Sequence, residues 1–154
     1  MNQEVAVGVR FRPTDEELIT YYLYMKMSGL EFPLPIVREV DIRNYNPWEL
    51  PEQSILEDDQ VWYFFSTPSK KYANSKQMGR TTSEGTGYWK ITGRDREVKN
   101  KRSGEVIGIK KTLVFYEGRN PDTVRISWVM NEFHSINAAS SQAYLSFFLI
   151  YYFN

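Results

Sequence analysis

Four blocks of aromatic and β-branched residues constrain this 154-residue chain more than anything else in it. They are residues 61–65 (VWYFF), 87–92 (GYWKIT), 106–116 and 125–133. Side chains of this kind favour the pleated, half-buried surface of a sheet. Glycine and proline punctuate them at Gly93, Gly104, Gly118 and Pro121, which marks short turns between successive strands. Several strands joined by short turns predict an antiparallel sheet.

Ahead of the sheet stands a helix start. Thr14-Asp15-Glu16-Glu17 has capping-box spacing, so the Thr14 hydroxyl can accept from the Glu17 N–H while the Glu17 carboxylate reaches back to the Thr14 N–H. Leu18, Tyr22 and Met25 follow on one apolar face, and Gly29 offers a stop, which predicts a helix over residues 15–27. A very short second helix is predicted over residues 46–51, with Asn46 as cap, Pro47 in the first helical position and Pro51 preventing extension. The expectation is one α+β domain: a twisted antiparallel sheet flanked by the N-terminal helix and the short second helix. Residues 67–86 have no clear periodicity and read as a long loop, of a kind usually functional or mobile.

Enzyme chemistry finds little support. There is no cysteine and a single histidine, His134, which excludes a thiol nucleophile and a Cys-ligated zinc site and argues against a His-based triad. Asp15, Glu16 and Glu17 are explained by helix capping and the helix dipole. Glu57-Asp58-Asp59 reads as a solvated acidic turn, and His134 as a surface or strand-end residue. Gly85-Thr86-Gly87 fails the dinucleotide fingerprint, since Lys90 occupies the position of the third glycine. No cofactor, metal or small-molecule substrate is implied. The N-terminus lacks the pattern of a signal segment, and the longest apolar run, residues 144–153, is about half the ~20 residues of a membrane helix. The expected setting is reduced and intracellular, away from membranes.

The formal net charge is zero, but the charges are segregated. Residues 1–66 carry 5 basic and 12 acidic side chains, and residues 67–111 carry 12 basic and 4 acidic. Phosphate affinity follows the local density of Lys and Arg, so the central stretch favours nucleic acid. Within it Lys90, Thr92 and Arg94 alternate with Trp89, Ile91 and Gly93. A flat strand would turn the first set outward and bury the second against the core. Strands bearing such side chains are among the few elements that enter a major groove.

Six ordered motifs then carry a resemblance. They are RFRPTDEEL (10–18), NPWELP (46–51), WYFFS (62–66), GYWKITGRD (87–95), GIKKTLVFY (108–116) and WVMNEF (128–133). Together they resemble the NAC domain of plant-specific transcription factors over residues 8 to about 135. The resemblance implies a twisted sheet between helices, dimerisation, nuclear location and sequence-specific binding of double-stranded DNA. It places Lys90, Thr92 and Arg94 on the strand that faces the major groove. Lys71, Lys76, Arg80, Arg96 and Arg119 fall at surrounding basic positions. It places the dimer seam before the first helix, at Gly8, Arg10 and Glu17, with Arg10 and Glu17 paired between subunits. Homodimers and heterodimers with other NAC proteins are both implied.

The last residues depart from the family pattern. The usual basic ending is replaced by residues 146–154 (SFFLIYYFN). The chain therefore divides into a domain at 1–145 and an atypical apolar tail at 146–154. If the tail takes the family's last strand position, alternate residues should face solvent. Its deletion should then improve solubility with little loss of DNA affinity. A chain ending there also admits an alternative role, a dimerising protein that inhibits full-length NAC partners without activating transcription.

Overall fold

A computed structural model of the chain describes residues 7–30, 36–56, 60–66, 85–119, 121–136 and 146–153. The capping box forms as expected: the Thr14 hydroxyl accepts from the Glu17 N–H at 3.2 Å, and Glu17 Oε1 accepts from the Thr14 N–H at 3.3 Å. The helix that follows, α1 (residues 15–27), is not uniformly wound. It is α-helical at Asp15–Glu17, widens to a π-helix at Leu18–Leu23 and returns to α-helix at Tyr24–Met27. The wider turn shifts the phase of the buried face. Leu18, Ile19 and Leu23 enter the core with Tyr22 and Met27 beside them, so the expected triplet of Leu18, Tyr22 and Met25 is corrected at its last member. Gly29 takes a left-handed φ of +72°, and the Leu30 N–H closes back onto the Met25 carbonyl at 3.0 Å, which ends the helix.

The second predicted helix is a 3₁₀ segment, Pro47–Gln53, that runs past Pro51. Proline lacks the N–H for one i→i−3 bond, but its carbonyl still accepts from the Ser54 N–H, so the short segment continues. Asn46 and Glu49 form a capping box at its start.

Among the described residues six strands make one sheet: β1 (Arg38–Glu39), β2 (Val61–Ser66), β3 (Gly87–Lys99), β4 (Val106–Glu117), β5 (Val124–Ser135) and β6 (Ser146–Tyr152). Their spatial order is β1-β2-β6-β5-β4-β3. Neighbours are antiparallel except at one edge, where the short β1 runs parallel to β2.

Each face of the sheet has its own core. On one face α1 packs Leu18, Ile19 and Leu23 against Tyr63, Phe65, Val98, Phe133 and Phe147. On the other, Val40 and Leu50 cover Phe64, Trp89, Leu113, Phe115, Met130, Phe148 and Ile150. Consecutive residues such as Phe64 and Phe65, or Phe147 and Phe148, thus serve opposite cores.

That division corrects the expectation for the last residues. β6 lies between β2 and β5, and Phe147, Phe148 and Ile150 are fully buried on its two faces. Alternate residues do not face solvent, because α1 covers one face of the strand and the 3₁₀ layer the other. The continuous apolar run is the pattern of a strand buried on both sides. Exposure begins at its last residue, Tyr152, and continues at Phe153 just beyond it.

Candidate nucleic-acid interface

Among the described residues β3 forms the outer edge of the sheet opposite β1, and it pairs only with β4. Its beginning is held firmly. Thr86 donates its hydroxyl to the side-chain oxygen of buried Asn46, the cap of the 3₁₀ segment. The Thr86 carbonyl accepts from the Gly118 N–H at 2.8 Å. Gly87 sits so close to the Tyr116 carbonyl and the Phe115 ring that a Cβ there would collide with both. Trp89 is 2% exposed and packs edge-on against Phe115 at 5.2 Å.

From Lys90 to Glu97 every residue of β3 is exposed. Lys90, Thr92, Arg94 and Arg96 all lie in this run. The expected burial of the alternate set holds for Trp89 and fails for Ile91, which is 38% exposed beyond the end of the core. Strict alternation also fails beyond Thr92. Thr92 pairs with Thr112 and Arg96 with Lys110, so Gly93, Arg94 and Asp95 stand opposite the single residue Lys111. Gly93, with a φ of +73°, absorbs the left-handed turn of this bulge. Bulges of this kind re-aim side chains at sheet edges, so the direction of Arg94 does not follow from counting residues from Lys90.

Charges near the bulge are partly paired. Lys111 Nζ lies 2.7 Å from Asp95 Oδ2. Lys110, opposite Arg96 in register, turns to Asp15 of α1 at 3.3 Å and lies over the Phe133 ring, which separates two like charges. On the α1 face of the sheet, Tyr88 stacks on Tyr116 with ring centroids 5.6 Å apart and planes 11° from parallel. Lys90 Nζ sits 5.6 Å from the Tyr116 ring centroid. Arg119, in the turn after β4, reaches back toward Gly85, just ahead of the start of β3. Arg119 and Lys90 thereby approach the same end of the strand.

Lys71, Lys76 and Arg80 lie outside the described residues, as do Glu57-Asp58-Asp59. Gly8 has a φ of +86° in an exposed segment, and Arg10 is exposed two residues on. Glu17 is engaged in its own capping box, with both the Thr14 N–H and hydroxyl donating to Oε1. His134 has a partner that sequence reading missed: its Nε2 lies 2.7 Å from Glu132 Oε1, two residues back on the same strand. Sequence reading also missed Lys111 and Tyr116. Their only signal was membership of the GIKKTLVFY motif, and their contacts depend on the β3–β4 register.

Among the described residues, a single sheet held between α1 and a 3₁₀ layer, with an exposed edge strand that carries Lys90, Arg94 and Arg96, defines the architectural class: an α+β domain. The family described as No apical meristem (NAM) protein matches residues 6–135. The chain is 47% identical over 136 residues to NAC domain-containing protein 96 of Arabidopsis thaliana, a match covering 88% of this chain and 46% of that protein. It is 51% identical over 127 residues to NAC domain-containing protein 45 of the same plant, covering 82% of this chain and 26% of the relative. NAC domain-containing protein 54 of Oryza sativa subsp. japonica is 50% identical over 127 residues, covering 82% of this chain and 19% of the relative. The chain belongs to the NAM, or NAC-domain, family of plant transcription factors. It spans less than half the length of each of these relatives.

Proposed function

We propose that the chain is a sequence-specific, dimeric DNA-binding transcription regulator of the nucleus, with no enzymatic activity, that presents β3 to the major groove. The observation that carries this reading is the unbroken exposure of Lys90 to Glu97 on an edge strand braced by Trp89, Phe115 and the Asn46–Thr86 contact. An edge strand at about 3.3 Å per residue spans no more than roughly 20 Å from Lys90 to Arg96. The major groove is about 12 Å wide, so Lys90, Thr92 and Arg94 can reach base edges while Arg96 and Arg119 hold flanking phosphates. Lys71, Lys76 and Arg80, which precede β3 in the sequence, add phosphate contacts.

Lys90→Ala and Arg94→Ala test the assignment in a mobility-shift titration against the preferred duplex. Where the truncated side chain hydrogen-bonds a base, specific binding should weaken by ~1–3 kcal/mol and preference should relax at one position. Unchanged affinity in both variants contradicts the reading. The dimer uses the segment at Gly8 with Arg10 of one copy against Glu17 of the other. Such an exposed pair contributes only ~0.2–1 kcal/mol, so backbone pairing around Gly8 supplies the rest. Sedimentation showing only monomer at every accessible concentration contradicts the dimer.

A further inference from the structure

We propose that Tyr116 is a positioning residue for the Lys90 ammonium, fixing that cation on the outer surface of β3 before DNA arrives. The inference rests on the DNA-binding reading of β3 and names a residue outside that strand on which it depends.

Tyr88 and Tyr116 are direct cross-strand partners, and Lys90 is two residues on from Tyr88, so all three share one face of the β3–β4 pair. The two rings stack nearly parallel, which leaves Tyr116 little freedom to rotate. Lys90 Nζ lies within the ~6 Å over which an aromatic ring attracts a cation through its quadrupole. Among the described residues no carboxylate forms an ion pair with Lys90, so the Tyr116 ring is the group that restrains it. A free lysine side chain has many rotamers and must give them up on binding. Holding the ammonium over a ring in advance removes part of that loss while leaving the charge available, which an ion pair would not do. Lys111 shows the contrast, since Asp95 neutralises it. Because the attraction belongs to the ring face, phenylalanine should serve in place of tyrosine.

The test begins with the unbound protein. Proton NMR should show the Lys90 ε-methylene signals shifted upfield by the Tyr116 ring current, in both the parent and Tyr116→Phe. Unshifted signals in the parent overturn the proposal, and this result does not depend on a more disruptive variant folding. Fluorescence-anisotropy titrations then use a duplex selected from random DNA by the parent chain. Tyr116→Leu, with folding checked by thermal melting, should bind about two- to fivefold more weakly, the range expected of an exposed cation–π contact. Tyr116→Phe should stay within about twofold of the parent on the same scale. In a Lys90→Ala background the Tyr116→Leu loss should vanish. An equal loss with and without Lys90 gives Tyr116 a merely structural role and overturns the proposal. If Lys90→Ala alone binds like the parent, Lys90 makes no DNA contact. The failure then lies in the underlying reading, and the proposal falls with it.

Discussion

Asp95 and Lys111 form an ion pair of 2.7 Å across the bulge of β3, at the centre of the exposed edge. Asp95 thereby removes one positive charge from the surface assigned to DNA. Asp95→Asn should release Lys111, tighten binding at low salt and steepen the slope of log affinity against log salt by up to ~0.9, one phosphate contact. Because the pair is partly exposed, stability should change by less than about 1 kcal/mol. Binding titrations at four salt concentrations check this, and an unchanged slope would show that Lys111 stays out of reach of phosphate.

β6 is the third strand of six and both its faces are buried, so removing residues 146–154 takes out the middle of the sheet. The deleted chain should show no cooperative thermal melt. Phe147→Ala alone should cost ~3–5 kcal/mol, the range for truncating a buried phenylalanine. A cooperative melt in the deleted chain would contradict the position of β6.

Gly87→Ala places a methyl group against the Tyr116 carbonyl and the Phe115 ring, neither of which is a flexible chain end. The start of β3 must move. We expect a loss of ~1–3 kcal/mol in stability, the usual range for overpacking. Weaker binding to DNA should accompany it, because Tyr88 to Thr92 shift together. Denaturant unfolding and a binding titration on the same sample test the two effects.

Burial pushes the Asp41 carboxyl up, and its hydrogen bonds and charge interaction with Arg43 more than offset this, leaving it below the ordinary carboxylate value. A depressed folded value means that its stabilisation is full above the unfolded value, ~3.9, and is lost as pH falls through the folded one. Asp41→Asn should be less stable than the parent near pH 7, and the gap should close as pH falls below about 4. Thermal melts across that range measure the gap; a gap independent of pH would contradict the Arg43 effect.

Local features were legible in the sequence, and features set by distant neighbours were not. The Thr14–Glu17 box, the Gly29 stop and the strand blocks around Trp62, Trp89, Phe115 and Met130 are decided within a few residues. The sheet order is not, because nothing near residue 147 states that β6 slides between β2 and β5. A missing basic ending suggested an exposed tail, whereas the same apolar run is what a strand covered on both faces requires. On β3 the residues of the exposed run were readable from type and motif. Their directions were not, since Gly93 opens a bulge whose size depends on how β4 pairs. Parallel pairing of β1 with β2 involves two residues a side, too few to leave a periodic signal.

The central claim, that β3 reads DNA sequence, is tested most directly by selecting bound sites from random duplex DNA with the purified chain and with its Lys90→Ala/Arg94→Ala variant. The parent should enrich one short consensus, and the variant should lose preference at particular positions of it while retaining weak, salt-sensitive binding. No enrichment by the parent, or the same consensus enriched by the variant, would contradict the claim.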